Sequence, residues 1–415
     1  MKKKCMAFVL VIAMLIGLFA ACGGEPAENL AGAPPLEEAE NPPAANAGDA
    51  PEAEDGILQF SRALFREVLA LDEENPVISP LSAYYVLSMA AFGAGGETLE
   101  EFSALLGREP MELAADLEAL TRRLTDTAGS TTLQIAGSVW MAEDFPIVAA
   151  FNQAMADYFG AEAWARDFGA PETVDEINAW VYEQTAGLID EMLSSISRDA
   201  VMLLFNTLYF SAQWAEQFNP MTAYQDIFHP ENGEAREVTF LSSGTGTFPV
   251  SVTEQYEAVM LPYDDGRMGF LLVRPTDGSS VRDFAARHDL GQILAGLTET
   301  PEVQVRMPKL DLEFEILLNE VLIAMGLELA FGDMADFTGI SEDDHSLYIS
   351  TVLQKVRMLV DEEGTEAAAA TMVQIERTSI ALDMIELTFN TPYLFAVYDL
   401  QAGIPLFMGV LDNPA

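Results

Sequence analysis

From Gly56 to Ala415 no stretch has the composition of a linker and no motif returns at a fixed period, so this whole span must share one core. Its first part carries a helical rhythm, with Ile57-Leu58, Phe60, Leu64-Phe65 and Val68-Leu69 recurring three and four residues apart. After Val201 the rhythm changes to short apolar runs bounded by turns, at 201–210, 259–263, 268–275, 303–312 and 387–397, and these read as strands. Helices giving way to strands within one unit predict an α+β fold, although length alone would suggest two domains. Half of the residues are hydrophobic, enough to build such a core.

Charge and chemistry exclude whole classes of function. Sixty-six acidic residues against 20 basic ones give a formal charge of -46, which would repel a phosphate backbone, so no nucleic-acid partner is expected. The only cysteines, Cys5 and Cys22, precede the folded span, which therefore holds neither a disulfide nor a cysteine-ligated metal. Three histidines, His229, His288 and His345, sit in no catalytic string, and neither a Gly-x-Ser-x-Gly elbow nor a His-Glu-x-x-His motif occurs. The glycines of FGAGGET (Gly93, Gly95, Gly96) follow a helical pattern and lack the third glycine of a dinucleotide loop. The acids Asp333, Asp336, Glu342, Asp343 and Asp344 lack the alternation and central glycine of a calcium loop. No cofactor or metal is expected.

The amino terminus reads as an address. Lys2-Lys3-Lys4 precede an apolar stretch from Ala7 to Ala21, too short for a comfortable membrane span and ending in small residues. Leu18-Phe19-Ala20-Ala21-Cys22 resembles a bacterial lipobox, which implies removal of residues 1–21, lipidation of Cys22 and anchoring to the outside of the bacterial cell membrane; a plain secretory signal is the alternative. Residues 22–55 then form the lipidated cysteine and an acidic Pro/Ala/Glu-rich linker that cannot bury enough surface to fold, leaving 56–415 as the domain.

The segment Asp361–Glu376, DEEGTEAAAATMVQIE, carries most of the functional information. With period two, Thr365, Ala367, Ala369, Thr371, Val373 and Ile375 share one face, small and then apolar, as a strand would need to slip between two existing strands over a packed core. Gly364 ahead of it supplies a permissive joint. An alanine-rich helix is an equally good reading of the segment in isolation.

Residues Glu362–Thr371 (Glu362, Glu363, Gly364, Thr365, Glu366, Ala367, Ala368, Ala369, Ala370, Thr371) closely resemble the hinge of inhibitory serpins. The likeness extends over Gly56–Ala415 through NPVISPLSAYYVLSMAAFGAGGET (75–98), INAWVYEQTAGLI (177–189), FNTLYFSAQWAEQF (205–218), ADFTGIS (335–341) and TPYLFAVYDLQAGIPLFMGVLDNP (391–414). It implies a serpin fold of three β-sheets with eight or nine helices and an exposed reactive loop after Gly364. It also implies a suicide-substrate mechanism. A serine protease attacks the loop and forms an acyl-enzyme; the cut loop inserts into the main sheet, and the tethered protease is distorted before water can release it.

By family spacing the scissile bond is Thr378–Ser379, suited to an elastase- or subtilisin-like protease, or Arg377–Thr378, suited to a trypsin-like one. Ser79, Ser82 and Asn206 match the family's polar cluster beneath the point where the sheet opens. Gln354 stands where a histidine usually completes it, and Trp214 matches the tryptophan at the mouth of the opening. The expected partner is an extracellular serine protease, engaged by a monomer held at the membrane through Cys22. A non-inhibitory serpin serving as a surface scaffold is the second reading; a solute-binding lipoprotein or hydrolase would rest on the export signal alone.

Overall fold

The computed structural model describes residues 51–341, 347–365 and 384–414. Helices dominate the early chain: α1 (Pro51–Leu69), α2 (Pro80–Phe92), α3 (Gly96–Leu106), α4 (Pro110–Thr125), α5 (Ala149–Phe159) and α6 (Pro171–Gln184), interrupted by β1 (Val77–Ile78), β2 (Thr132–Ala142) and β3 (Glu162–Arg166). Proline opens α2, α4 and α6, where its missing N–H costs no helical hydrogen bond. Left-handed glycines, Gly107 and Gly160, close α3 and α5. Helix α1 begins at Pro51, so it takes in the last five residues read as linker, and Glu54 is already paired with Arg123 at 2.5 Å.

Strands then take over: β4 (Met202–Gln213), β5 (Tyr224–Phe228), β6 (Arg236–Ser242), β7 (Gly246–Val252), β8 (Tyr256–Pro262) and β9 (Met268–Pro275). After α7 (Val281–Arg287) and α8 (Leu290–Ala295) come β10 (Thr298–Pro308), β11 (Leu310–Leu317) and α9 (Asn319–Ala324). The chain finishes with β12 (Thr351–Val360), β13 (Gly364–Thr365), β14 (Ile385–Thr388), β15 (Tyr393–Asp399) and β16 (Ile404–Leu411). Two runs read from sequence as single strands are each a pair: 303–312 divides between β10 and β11 at Lys309, and 387–397 between β14 and β15.

A six-stranded sheet has the order β11-β12-β13-β4-β2-β3, and a ten-stranded network runs β1-β16-β15-β9-β8-β7-β10-β6-β5 with β14 beside β10. Strand β10 pairs with β7 through an irregularity between Thr300 and Val303, its last partner there being Gly246, and then pairs with β6 through Arg306–Pro308. One long strand therefore serves two sheets, and the three sheets implied by the resemblance are present with two of them joined along β10. Helix α2 touches both β4 and β16 and is buried on every side from Pro80 to Ala91, which is why its sequence shows no polar face. The fold is α+β, as expected.

FGAGGET is explained by packing. A β-carbon on Gly93 would meet Ile340 at 2.1 Å, and one on Gly95 would meet Asp336 at 2.7 Å, so these glycines let the Asp336–Ile340 turn lie against the α2–α3 junction. Asp336 spends its carboxylate on Thr338, and no group of three or more potential metal ligands exists among the described residues. Glu342, Asp343 and Asp344 of the acidic cluster lie outside them.

Candidate functional site

Strands β12 and β4 are parallel neighbours whose ladder registers at one end only, Thr351 opposite Leu203 and Val352 opposite Leu204. At the other end β13 sits between them, antiparallel to both: Thr365 faces Val360 on β12 and Ala212 on β4, and Gly364 faces Gln213. The six-stranded sheet is thus closed at one end and already wedged at the other. Sequence reading placed everything after Gly364 outside the molecule; its first residue, Thr365, is instead buried within the sheet at 3% exposure.

The wedge is held by short-range chemistry. The Asp361 carboxylate accepts from the backbone N–H groups of Glu363 (2.8 Å) and Gly364 (3.2 Å), while the Asp361 N–H donates to the Gly364 carbonyl (3.0 Å), closing a tight turn between β12 and β13. Trp214 N–H donates to the Glu363 carbonyl, its indole N–H to the Asp361 carbonyl, and Phe218 N–H to the Glu362 carbonyl, each at 2.9 Å. Lys309 pairs with Glu362 at 2.6 Å. Gly364 is not in the left-handed region; a β-carbon there would lie 2.0 Å from the Ala212 carbonyl oxygen, so glycine is needed here for close approach.

Beneath the wedge, the Thr365 hydroxyl lies 2.6 Å from the Tyr263 hydroxyl, and the Tyr263 ring stacks on Trp214 with centroids 4.7 Å apart. Complete burial pushes the Tyr263 hydroxyl well above its usual range, so it keeps a proton to donate. Tyr263, Asp361 and Lys309 were not singled out from sequence. Tyr263 meets Thr365 across 102 residues, and nothing in the local pattern of either announces the other.

Two residues inside the closed end lies the polar cluster. Ser79 caps α2, its hydroxyl accepting from Ser82 N–H at 3.3 Å. Gln354 accepts from Ser79 N–H (3.0 Å) and donates to the Ser79 carbonyl (2.9 Å), so one side-chain amide serves both backbone groups of Ser79. Ser82 donates its hydroxyl to Asn206 Oδ1, while Asn206 Nδ2 is buried without a hydrogen-bond partner among the described residues. The structure brings Ser79, Ser82, Asn206 and Gln354 together, and it sets Trp214 against the wedge. The segment after α6 lies across the same gap: Thr185, Leu188 and Ile189 line it with Asn206 and Gln354, and Lys355 donates to the Glu191 carbonyl at 2.9 Å. The same ammonium, hydrogen-bonded to Glu313, holds that carboxyl below its usual range, with Arg357 adding to the effect.

Gln354 has no proton to gain or lose between pH 5 and 8, so the Ser79 clip is expected to hold equally well across that range. Gln354→Ala would strand the buried Ser79 N–H, while the Ser79 carbonyl keeps its bond from Ala83 N–H, at a cost of about 2 kcal/mol, read as a lower denaturant midpoint at unchanged slope.

Downstream, the chain returns at Met384, whose sulfur accepts from the Thr245 hydroxyl, and β14 runs parallel to β10 from Val303 to Arg306. Trp214, Phe218 and Phe248 line a small apolar cavity that Ser243 and Thr247 share, so the wedge and the return point flank one wall. Glu366, Ala367, Ala368, Ala369, Ala370, Thr371, Arg377, Thr378, Ser379 and Cys22 lie outside the described residues.

The family model for serpins, described as serine protease inhibitors, matches residues 55–414. The chain is similar to an uncharacterised serpin-like protein of Thermococcus kodakarensis, 31% identical over 91% of this chain and 88% of that one. It is also similar to Serpin-Z7 of Hordeum vulgare, 31% identical over 82% of this chain and 90% of the relative. Among solved structures, tengpin, a thermophilic serpin in its native state, matches with a TM-score of 0.81 and 31% identity over 89% of this chain and 95% of that one.

Proposed function

The chain belongs to the serpin family, most of whose members inhibit serine proteases, and we propose that it is itself an inhibitor that traps its target by inserting its cut loop between β12 and β4. The observation that carries this reading is β13: two residues of the hinge already occupy the slot that insertion would fill.

The register of β13 says what the remaining residues would meet. Continuing antiparallel from Thr365, each second residue advances one inward-facing pair. Ala367 would fall between Phe210 and Met358, Ala369 between Leu208 and Val356, and Thr371 between Asn206 and Gln354. Small side chains thus pass over the large core residues, and the one polar side chain arrives at the polar cluster, where the Asn206 amide nitrogen lacks a partner. Val373 is the first residue that must break a registered pair, Val352 with Leu204. On the outward face Ala368 and Ala370 would pass Tyr209 and Thr207, beneath the segment that Lys355 holds. The alanines on both faces follow from this: one face crosses the core, the other passes under a covering segment.

Export and anchoring at Cys22 would place this inhibitor outside a bacterial cell, with Thr378–Ser379 as the preferred bond and Arg377–Thr378 as the alternative. Mixing the full chain with elastase-, subtilisin- and trypsin-like proteases should give, with at least one, a covalent complex that survives boiling in detergent. Mass spectrometry of the released fragment would identify the cut bond. Cleavage by every protease with no complex would favour the non-inhibitory scaffold.

A further inference from the structure

The amino-terminal turn of α1 lies at the wedged end of the sheet, and a chain of contacts shows it. Glu54 pairs with Arg123 at 2.5 Å in the last turn of α4. Arg267 donates to the Arg123 carbonyl at 2.7 Å. Arg267 adjoins Met268, whose carbonyl accepts from Tyr263 N–H, and the Tyr263 hydroxyl meets Thr365. The α4–β2 connection repeats the link, since the Ser130 hydroxyl accepts from Gln213 N–H, and Gln213 is the residue paired with Gly364. The closed end of the slot, at Leu203 and Thr351, is the opposite end of β4, roughly 33 Å away at the rise of a β-strand.

We infer that, in the anchored molecule, the loop-bearing end is the membrane-facing end, so that the partner is a protease working at the same membrane and is carried outward when it is trapped. This rests on the lipid anchor at Cys22 and on the insertion reading. The tether joins the domain at Pro51, toward the wedged end of the sheet, and spans only the 28 residues 23–50; a coil of that length would reach roughly 30 Å. A protease bound to the loop is therefore engaged within about one protein diameter of the bilayer. Insertion would then move it along the sheet toward Leu203 and Thr351, away from both tether and lipid. A tether at the other end would instead drive the trapped protease against the membrane, so the observed placement leaves the path of the product clear.

The test uses the full chain, processed by a bacterial host and reconstituted in liposomes carrying an acceptor-labelled lipid. Because Cys5 lies within the removed signal and Cys22 is lipidated, an added cysteine is the sole free thiol. One donor dye is placed at Ala128→Cys, exposed at the wedged end, and in a second variant at Arg198→Cys, exposed just before β4 at the closed end. The expected result is about twofold stronger energy transfer from position 128 than from 198 with so short a tether, and weaker transfer from a dye on the trapped protease than from position 128. Equal transfer from the two positions, stronger transfer from 198, or an intact mass showing Cys22 without lipid would overturn the inference. Formation of the covalent complex is read separately on a denaturing gel, so a failure of inhibition is distinguishable from a failure of orientation.

Discussion

Cutting the loop with a protease that it does not trap is expected to raise the melting temperature by about 20 °C or more, which at roughly 2 °C per kcal/mol is on the order of 10 kcal/mol. The gain comes from the slot itself. Between the registered pair Val352–Leu204 and the wedge at Thr365, the edges of β12 and β4 offer a ladder on each side for an added strand. Cutting frees the hinge side, and the register then seats small residues over the core and Thr371 beside the unpartnered Asn206 amide. Calorimetry of intact and cut protein checks this. An unchanged melting temperature would mean that the cut loop stays out and that the chain is a scaffold.

Thr365→Arg is expected to turn the inhibitor into a substrate: the covalent band is lost, and the protease recovers full activity while the loop is consumed. The structure sharpens the reason. Thr365 is buried before any cut, its hydroxyl on Tyr263, so a guanidinium there must either lose its solvation beside an aromatic floor or force β13 out of the slot. Either outcome removes the nucleus from which insertion proceeds, and insertion loses its race with deacylation. The intact variant should also be less stable by about 1–3 kcal/mol, because the Tyr263 hydroxyl loses its partner. Thr365→Ser, which keeps the hydroxyl, should retain trapping. A band of normal yield from Thr365→Arg would contradict the insertion mechanism.

Much of the fold is legible in the residues because local patterns carry it. The run 268–275 is β9 to the residue, and the apolar period from Ile57 lies within α1. Joined runs were misread where alternation continues through a bend: Pro308 ends β10, and Leu310 resumes the same rhythm in β11. Helix α1 was begun late because the acidic composition of residues 51–55 hides a helical start on proline. In the site, Ser79, Ser82, Asn206, Gln354 and Trp214 could be placed by family resemblance. The partners that give them meaning could not. Tyr263 beneath Thr365, Asp361 at the hinge turn and the Ala212 carbonyl against Gly364 are contacts of tertiary structure, with no trace in spacing or composition. Sheet pairing has the same character: β14 beside β10, or β13 inside the slot, depends on segments far apart in the chain.

The most direct measurement of the central claim is a crystal structure of the loop-cut protein. The account predicts a continuous new strand between β12 and β4, antiparallel to both, with the Thr371 hydroxyl within hydrogen-bond distance of Asn206 and the Val352–Leu204 pairing broken. A severed segment lying in solvent, with β12 and β4 still paired at Val352 and Leu204, would contradict it.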